Sequence, residues 1–241
     1  MSSTPYNPLG PAHDSSRDRG AELGGAPARR VAVFFASQEG HTREIAKRIM
    51  MDLRKGGFDV DLHDVRLPIA FGLNFYSAAV LAASVHQGNH EKEMVRFVKD
   101  HRSELERMPA AFISVSLSEV GAERRETTPA EHEKFASDVK KMLDTFFEQT
   151  QWHPTYVKPV AGAIMYSKYN FFIRFIMKRI ARKQGADTDT SRDYDYTDWI
   201  ELDKFIEDLA AEIRRVAVAA SPSGAGAGTK TTETIKSADN I

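Results

Sequence analysis

The 241-residue chain contains no cysteine. That excludes disulfides, thiolate metal sites, iron–sulfur clusters and cysteine nucleophiles. Neither sign of charge is in excess: 33 Lys and Arg stand against 34 Asp and Glu, a formal net charge of −1. A dedicated nucleic-acid binder needs a basic surplus to release counterions, so no nucleic acid is expected as a partner. The balance is equally unlike a strongly acidic electron shuttle. Long apolar runs are missing too. The stretches 78–85 and 171–177 are too short, or carry charge, against the roughly 18–20 residues that span a bilayer. Residues 1–30 have no apolar h-region and hold Asp14, Asp18 and Glu22, which argues against a secretory signal and makes a poor transit peptide.

Hydrophobic residues make up 41% of the chain, enough for one well-buried core. Residues 1–29 are rich in Pro, Gly, Ser and Asp, and residues from 217 onward are of low complexity. Both are expected to be flexible tails, because they offer too little apolar area to offset chain entropy. The folded domain is therefore expected over 30–216.

Inside it, short apolar runs alternate with helical periodicity. Strands are expected at 31–36, 58–63, 78–84, 110–115 and 156–164. Helices are expected at 41–55, 90–105, 129–147 and 197–216, the first stopped by Gly56 and Gly57. Five strands alternating with helices give an α/β, doubly wound parallel sheet covered on both faces. Ligands in such sheets bind beyond the carboxyl ends of the strands, where strand order reverses. The site is thus expected in the loops after strands one, three and four.

The first of these loops is Ser37-Gln38-Glu39-Gly40-His41-Thr42, running straight into a helix. Hydroxyls at its ends, a glycine between them and free N–H groups at the helix start suit a phosphate. A plain capped helix start would use the same residues, and the pattern by itself leaves both readings open. His86 and His90 stand four apart, a spacing that binds metal on a helix. Gly88 and Asn89 between them argue for a loop, no carboxylate joins them, and no metal is expected. After strand five comes a segment, 165–190, in which Tyr166, Tyr169, Phe171, Phe172, Ile173, Phe175, Ile176, Met177 and Ile180 interleave with Lys168, Arg174, Lys178, Arg179, Arg182 and Lys183. On a helix Arg174, Lys178 and Arg182 share one stripe, while Phe172, Ile173, Ile176 and Ile180 share another. Such a helix lies on an anionic interface or an acidic partner, or packs its apolar face on the sheet.

Val31–Thr42 resembles the first strand and phosphate loop, Ser/Thr-x-x-Gly-x-Thr, of flavodoxin-like proteins. Further segments narrow the resemblance to the menaquinone-dependent protoporphyrinogen IX dehydrogenase family. These are Gln38–Ala46, Met108–Leu117, Thr127-Thr128-Pro129, Gln151-Trp152-His153-Pro154, Val160–Ala163, Thr188-Asp189-Thr190 and Tyr196-Thr197-Asp198-Trp199. The resemblance implies a flavodoxin-like sheet of order 2-1-3-4-5 with a long basic insert near strand five. It also implies FMN, with its phosphate on Ser37–Thr42. The ring would lie between Ser84, Val85, His86, Gln87, Gly88 and Asn89 on one side and Ser116, Leu117 and Ser118 on the other. Neither ring loop has Trp or Tyr, and His86 is the only ring in them.

The implied reaction removes six electrons from protoporphyrinogen IX to give protoporphyrin IX in heme biosynthesis, with menaquinone or ubiquinone as acceptor. The cofactor carries the redox chemistry, and no residue stands out as a general base. Arg174, Lys178 and Arg182 of the insert are candidates for substrate propionates or a membrane surface. Arg124 and Arg125 are candidates for propionates or a reduced flavin. The resemblance implies a peripheral enzyme at the cytoplasmic face of the inner membrane, or a mitochondrial one in a eukaryote. The rival readings are a flavodoxin-type carrier and an NAD(P)H:quinone reductase. Nothing in the sequence specifies the oligomeric state.

Overall fold

A computed structural model describes residues 30–69, 71–124 and 128–220, apart from the side chains at 172, 173 and 220. Most of both expected tails, and Arg125, lie outside the described residues. Five parallel strands form the sheet: β1 (Arg30–Ala36), β2 (Asp59–Asp64), β3 (Ala78–His86), β4 (Ala110–Ser116) and β5 (Tyr156–Ala161). Their order is β2-β1-β3-β4-β5, the expected topology. Strands β1, β3 and β4 read as continuous apolar runs because helices cover both of their faces.

On one face α1 (His41–Lys55) and α6 (Trp199–Ala220) bury Ile45, Ile49 and Leu53 against Leu202, Ile206 and Ile213. On the other, α2 (Lys92–Leu105) and α4 (Pro129–Thr150) bury Met94, Phe97, Val98 and Phe146, with Trp152 beside them. Each fully buried side chain of this kind contributes roughly 1.5–3 kcal/mol. Phe112 of β4 and Phe146 stack with centroids 4.2 Å apart.

Several boundaries differ from expectation, each for a local reason. The second helix begins at Lys92, not at 90, because Asn89–His90 folds back on Val85–His86 as a hairpin. Gln87 and Gly88 take φ of 51° and 81° at its tip, the left-handed pair that a tight two-residue hairpin requires. The fifth strand stops at Ala161; Ala163–Ile164 leaves the sheet and pairs antiparallel with Tyr194–Asp195. A short helix, α3 (Leu117–Glu123), follows β4 and was not expected. The last helix starts at Trp199 and runs through Ala220, beyond the expected end at 216.

The segment after β5 builds a small core of its own. Its helix, α5 (Phe171–Lys183), sets Met177 and Ala181 against Tyr166, Ile164 and Val120. Arg124 clasps the return chain, donating to the Gly185 carbonyl at 2.5 Å and to Asp187 at 2.7 Å. Arg124 is thereby a structural clasp, which corrects the expectation that it is available for propionates. The ring of Phe135 fills the remaining gap: a Cβ on Gly121 would come within 2.3 Å of it, and Gly185 (φ 70°) lies on it too.

Two outcomes follow. Gly121→Ala should lower unfolding free energy by about 1–3 kcal/mol through overpacking, although Ala gains roughly 1 kcal/mol over Gly in helix propensity; urea denaturation reads it. His90 is sealed against Phe112 and Phe146, with Nε2 2.9 Å from Ser114 Oγ. Burial lowers its pKa from 6.5 to about 4. With the folded pKa depressed, its contribution is complete above pH 6.5 and is lost as pH falls toward 4. That loss is up to about 3 kcal/mol. The acid slope of stability over this window should flatten in His90→Gln.

Candidate functional site

The carboxyl ends of β1, β3 and β4 open onto one cavity of about 1010 Å³, at the upper end of small-molecule sites of about 300–1,000 Å³. Ser37, Gln38, Glu39, His41 and Thr42 line it from the first loop, Ser84 to Asn89 from the second, and Ser116, Leu117 and Ser118 from the third. Gly40 borders an adjoining recess of about 370 Å³, which Lys168, Arg43 and Arg66 also line.

The first loop has the form of an anion cradle. Gly40 precedes α1 at φ 97°, a conformation that favours glycine. No side chain caps α1, so its first-turn N–H groups remain for a ligand. By contrast, Ser116 caps α3 and Thr128 caps α4. Ser37 and Thr42 are buried beside this open end, and Ser37 Oγ accepts from Gly40 N at 3.0 Å. These residues fit a phosphate.

His41, next along, is fixed in one tautomer. The Thr197 hydroxyl donates to the Ala161 carbonyl at 2.9 Å, so it accepts from His41 Nε2 at 2.8 Å. Burial lowers the His41 pKa, with Asp195 and Glu44 pulling the other way. Its remaining nitrogen, Nδ1, is then the acceptor.

Beneath the first two loops lies a buried carboxylate that the sequence reading missed. Glu91 accepts from Gln38 Nε2 and from Ser84 Oγ, both at 3.0 Å, and His86 Nε2 lies 3.2 Å away. One group thereby holds side chains from both loops. In sequence it is one acid at a helix start, indistinguishable from a solvated residue.

His86 thus faces Glu91 while His90 is buried on Ser114, and no group of three metal-ligating side chains occurs among the described residues. In the third loop Ser116 spends its hydroxyl on Glu119 N, and Ser118 donates to Gln184 at 3.0 Å. Further along α3, Glu123 is pushed up to about 7 by burial and by Glu119, but neither acid lines the cavity.

Helices α4 and α5 form the remaining walls. Asp138, Lys141, Met142 and Thr145 are one stripe of α4; Ile176, Met177, Ile180, Lys183 and Gln184 are one stripe of α5. The expected cations Arg174, Lys178 and Arg182 are not in that lining. Arg174 reaches the Tyr169 carbonyl at 3.4 Å, Lys178 is half-buried and Arg182 is exposed. Helical phase accounts for this: 176, 180 and 183 turn to the cavity with 177 at its edge, whereas 174, 178 and 181 lie on the flank beside it. The segment before α5 straps the first loop, with Lys168 Nζ donating to the Glu39 carbonyl at 3.3 Å and the Tyr169 hydroxyl to its carboxylate. Burial and that carboxylate push the Tyr169 phenol up, so it stays protonated as the donor.

A family model described as a flavodoxin domain matches residues 32–191. The protoporphyrinogen IX dehydrogenase (quinone) of Escherichia coli strain K12 is 32% identical over 181 residues, covering 75% of this chain and 94% of that protein. The Leishmania major protein of the same name is 31% identical, covering 74% of each. A solved short-chain flavodoxin is 15% identical over 76% of this chain and 98% of its own, with a TM-score of 0.43. The family match and the sheet order agree on a flavodoxin-like fold, and the chain belongs to the flavodoxin-domain family, alongside relatives named protoporphyrinogen IX dehydrogenase (quinone).

Proposed function

We propose that this chain is an FMN-dependent dehydrogenase that oxidises protoporphyrinogen IX to protoporphyrin IX and passes the electrons to a quinone, menaquinone or ubiquinone. The observation that carries it is the cavity in which the loops after β1, β3 and β4 meet a largely apolar stripe of α5 and a mixed stripe of α4. Relatives at 31–32% identity whose names state that reaction support the substrates. FMN supplies two-electron redox chemistry when bound.

The chain's own residues bind and orient. Ser37, Thr42 and the open start of α1 would take the phosphate, and Val85 and Leu117 would flank the ring with His86 beside it. Glu91 keeps the first two loops in register. His41, neutral and fixed by Thr197, presents an acceptor rather than a cation to the site. Glycine at 88 lets the hairpin backbone approach a flat ligand closely.

The proposal extends to a membrane surface: the cytoplasmic face of the inner membrane in a bacterium, or a mitochondrial membrane in a eukaryote. No helix among the described residues is long and apolar enough to cross one. Phe171 is 89% exposed and Phe175 58%, and Arg179 and Arg182 are exposed on the same helix. Aromatic rings beside cations on an outer face suit an anionic interface, where a dissolved quinone would be at hand.

The central test is anaerobic turnover of protoporphyrinogen IX with FMN and a menaquinone analogue, followed by porphyrin fluorescence. Growth above the enzyme-free rate that needs both additions is expected; its absence with FMN bound would refute the reading. Gly40→Val should weaken FMN about tenfold or more, through backbone strain of about 1–3 kcal/mol, while sparing vesicle binding. Phe171→Ser with Phe175→Ser should release the protein from anionic vesicles in a sedimentation assay and leave FMN affinity unchanged.

A further inference from the structure

The cavity holds more charge than the flavin loops account for. Two acids line it, and each has a partner: Glu39 receives the Tyr169 hydroxyl, and Asp138 lies 3.7 Å from Lys134. His86 is set against Glu91. Two ammonium groups are left over at the cavity's rim, Lys141 of α4 and Lys183 of α5; both are exposed, and neither makes an ion pair among the described residues. The other lysines of α4 do pair, Lys140 with Asp144 at 2.6 Å and Lys134 with Asp138 at 3.7 Å.

Position sets these two lysines apart from the phosphate cradle. Lys183 belongs to a stripe of α5 that is largely apolar where it meets the cavity, with Ile176, Met177 and Ile180, and Lys141 stands next to Met142 in a mixed stripe of α4. The cradle at Ser37–Thr42 belongs to a different element and has its own open helix end and its own cation, Lys168. A flat apolar body between the walls with one anionic group toward each would satisfy every feature. Cations gain from such anions most where water is partly excluded.

We propose that Lys141 and Lys183 are the substrate-specificity residues of this site, recognising the two carboxylates of a flat apolar dicarboxylate seated between α4 and α5. This rests on the reading above, in which the substrate is a tetrapyrrole with two propionates. It replaces Arg174, Lys178 and Arg182 in that role. A quinone has no charge for these lysines to hold, so they discriminate one substrate from the other.

The test uses the full-length FMN-loaded protein, with protoporphyrin IX and its dimethyl ester as binding probes in the same detergent. Wild type should bind the diacid more tightly than the ester. Lys141→Met with Lys183→Met should weaken the diacid about tenfold, the sum of two partly exposed charge pairs, and leave the ester unchanged. KM for protoporphyrinogen IX should rise with kcat, FMN affinity and quinone KM held, and arginine at both positions should restore it. Equal binding of diacid and ester, or variants that bind both as wild type does, would overturn the proposal while turnover upholds the dehydrogenase reading. Loss of FMN affinity in the variants would assign the lysines to the flavin and overturn it as well. A wild type that neither binds nor oxidises the tetrapyrrole would bring down both.

Discussion

Two adjacent parallel strands, β1 and β3, send their chains to opposite faces of the sheet. Strand β1 leads into α1 and strand β3 into α2, so neither following helix closes the gap between their carboxyl ends. The cavity opens at that gap. The buried Glu91 carboxylate makes the gap a defined shape, because it takes hydrogen bonds from the first loop and the second at once. A buried charge is tolerable only with such partners, so the two loops and the acid hold one another in place.

The segment after β5 turns an open crevice into a cavity. It does so as a small folding unit, with Tyr166 at its centre and a two-stranded pairing at its base. Arg124 and the Gly121–Phe135 contact fasten its return to α3 and α4. The same helix therefore does two jobs by phase alone: one stripe turns to the cavity and another, led by Phe171 and Phe175, turns to solvent. Under the proposed dehydrogenase reading, this wall bounds the space left for a large flat substrate.

Much of this was legible in the sequence. The alternation of apolar runs with helical periods gives a doubly wound parallel sheet, and the family resemblance gives its order. The three loops that line the cavity were legible as well, since the crevice of a doubly wound sheet lies beyond the carboxyl ends of its strands. The hairpin at Gln87-Gly88 and the helix α3 were not. Each is short, and its stability comes from contacts with distant residues rather than from its own pattern.

The sequence by itself determined the fold class and the family resemblance, since these rest on local periodicity and on short contiguous motifs. Only the tertiary structure decided which cation faces what. Arg124, Arg174 and Lys178 read as available charges, yet packing turns them to a clasp or an inner flank, while Lys141, unmarked in sequence, and Lys183, one cation among many in the insert, line one cavity. A charged side chain's role is set by the helical phase and the neighbour that folding brings to it, and residues far apart along the chain carry no sign of either.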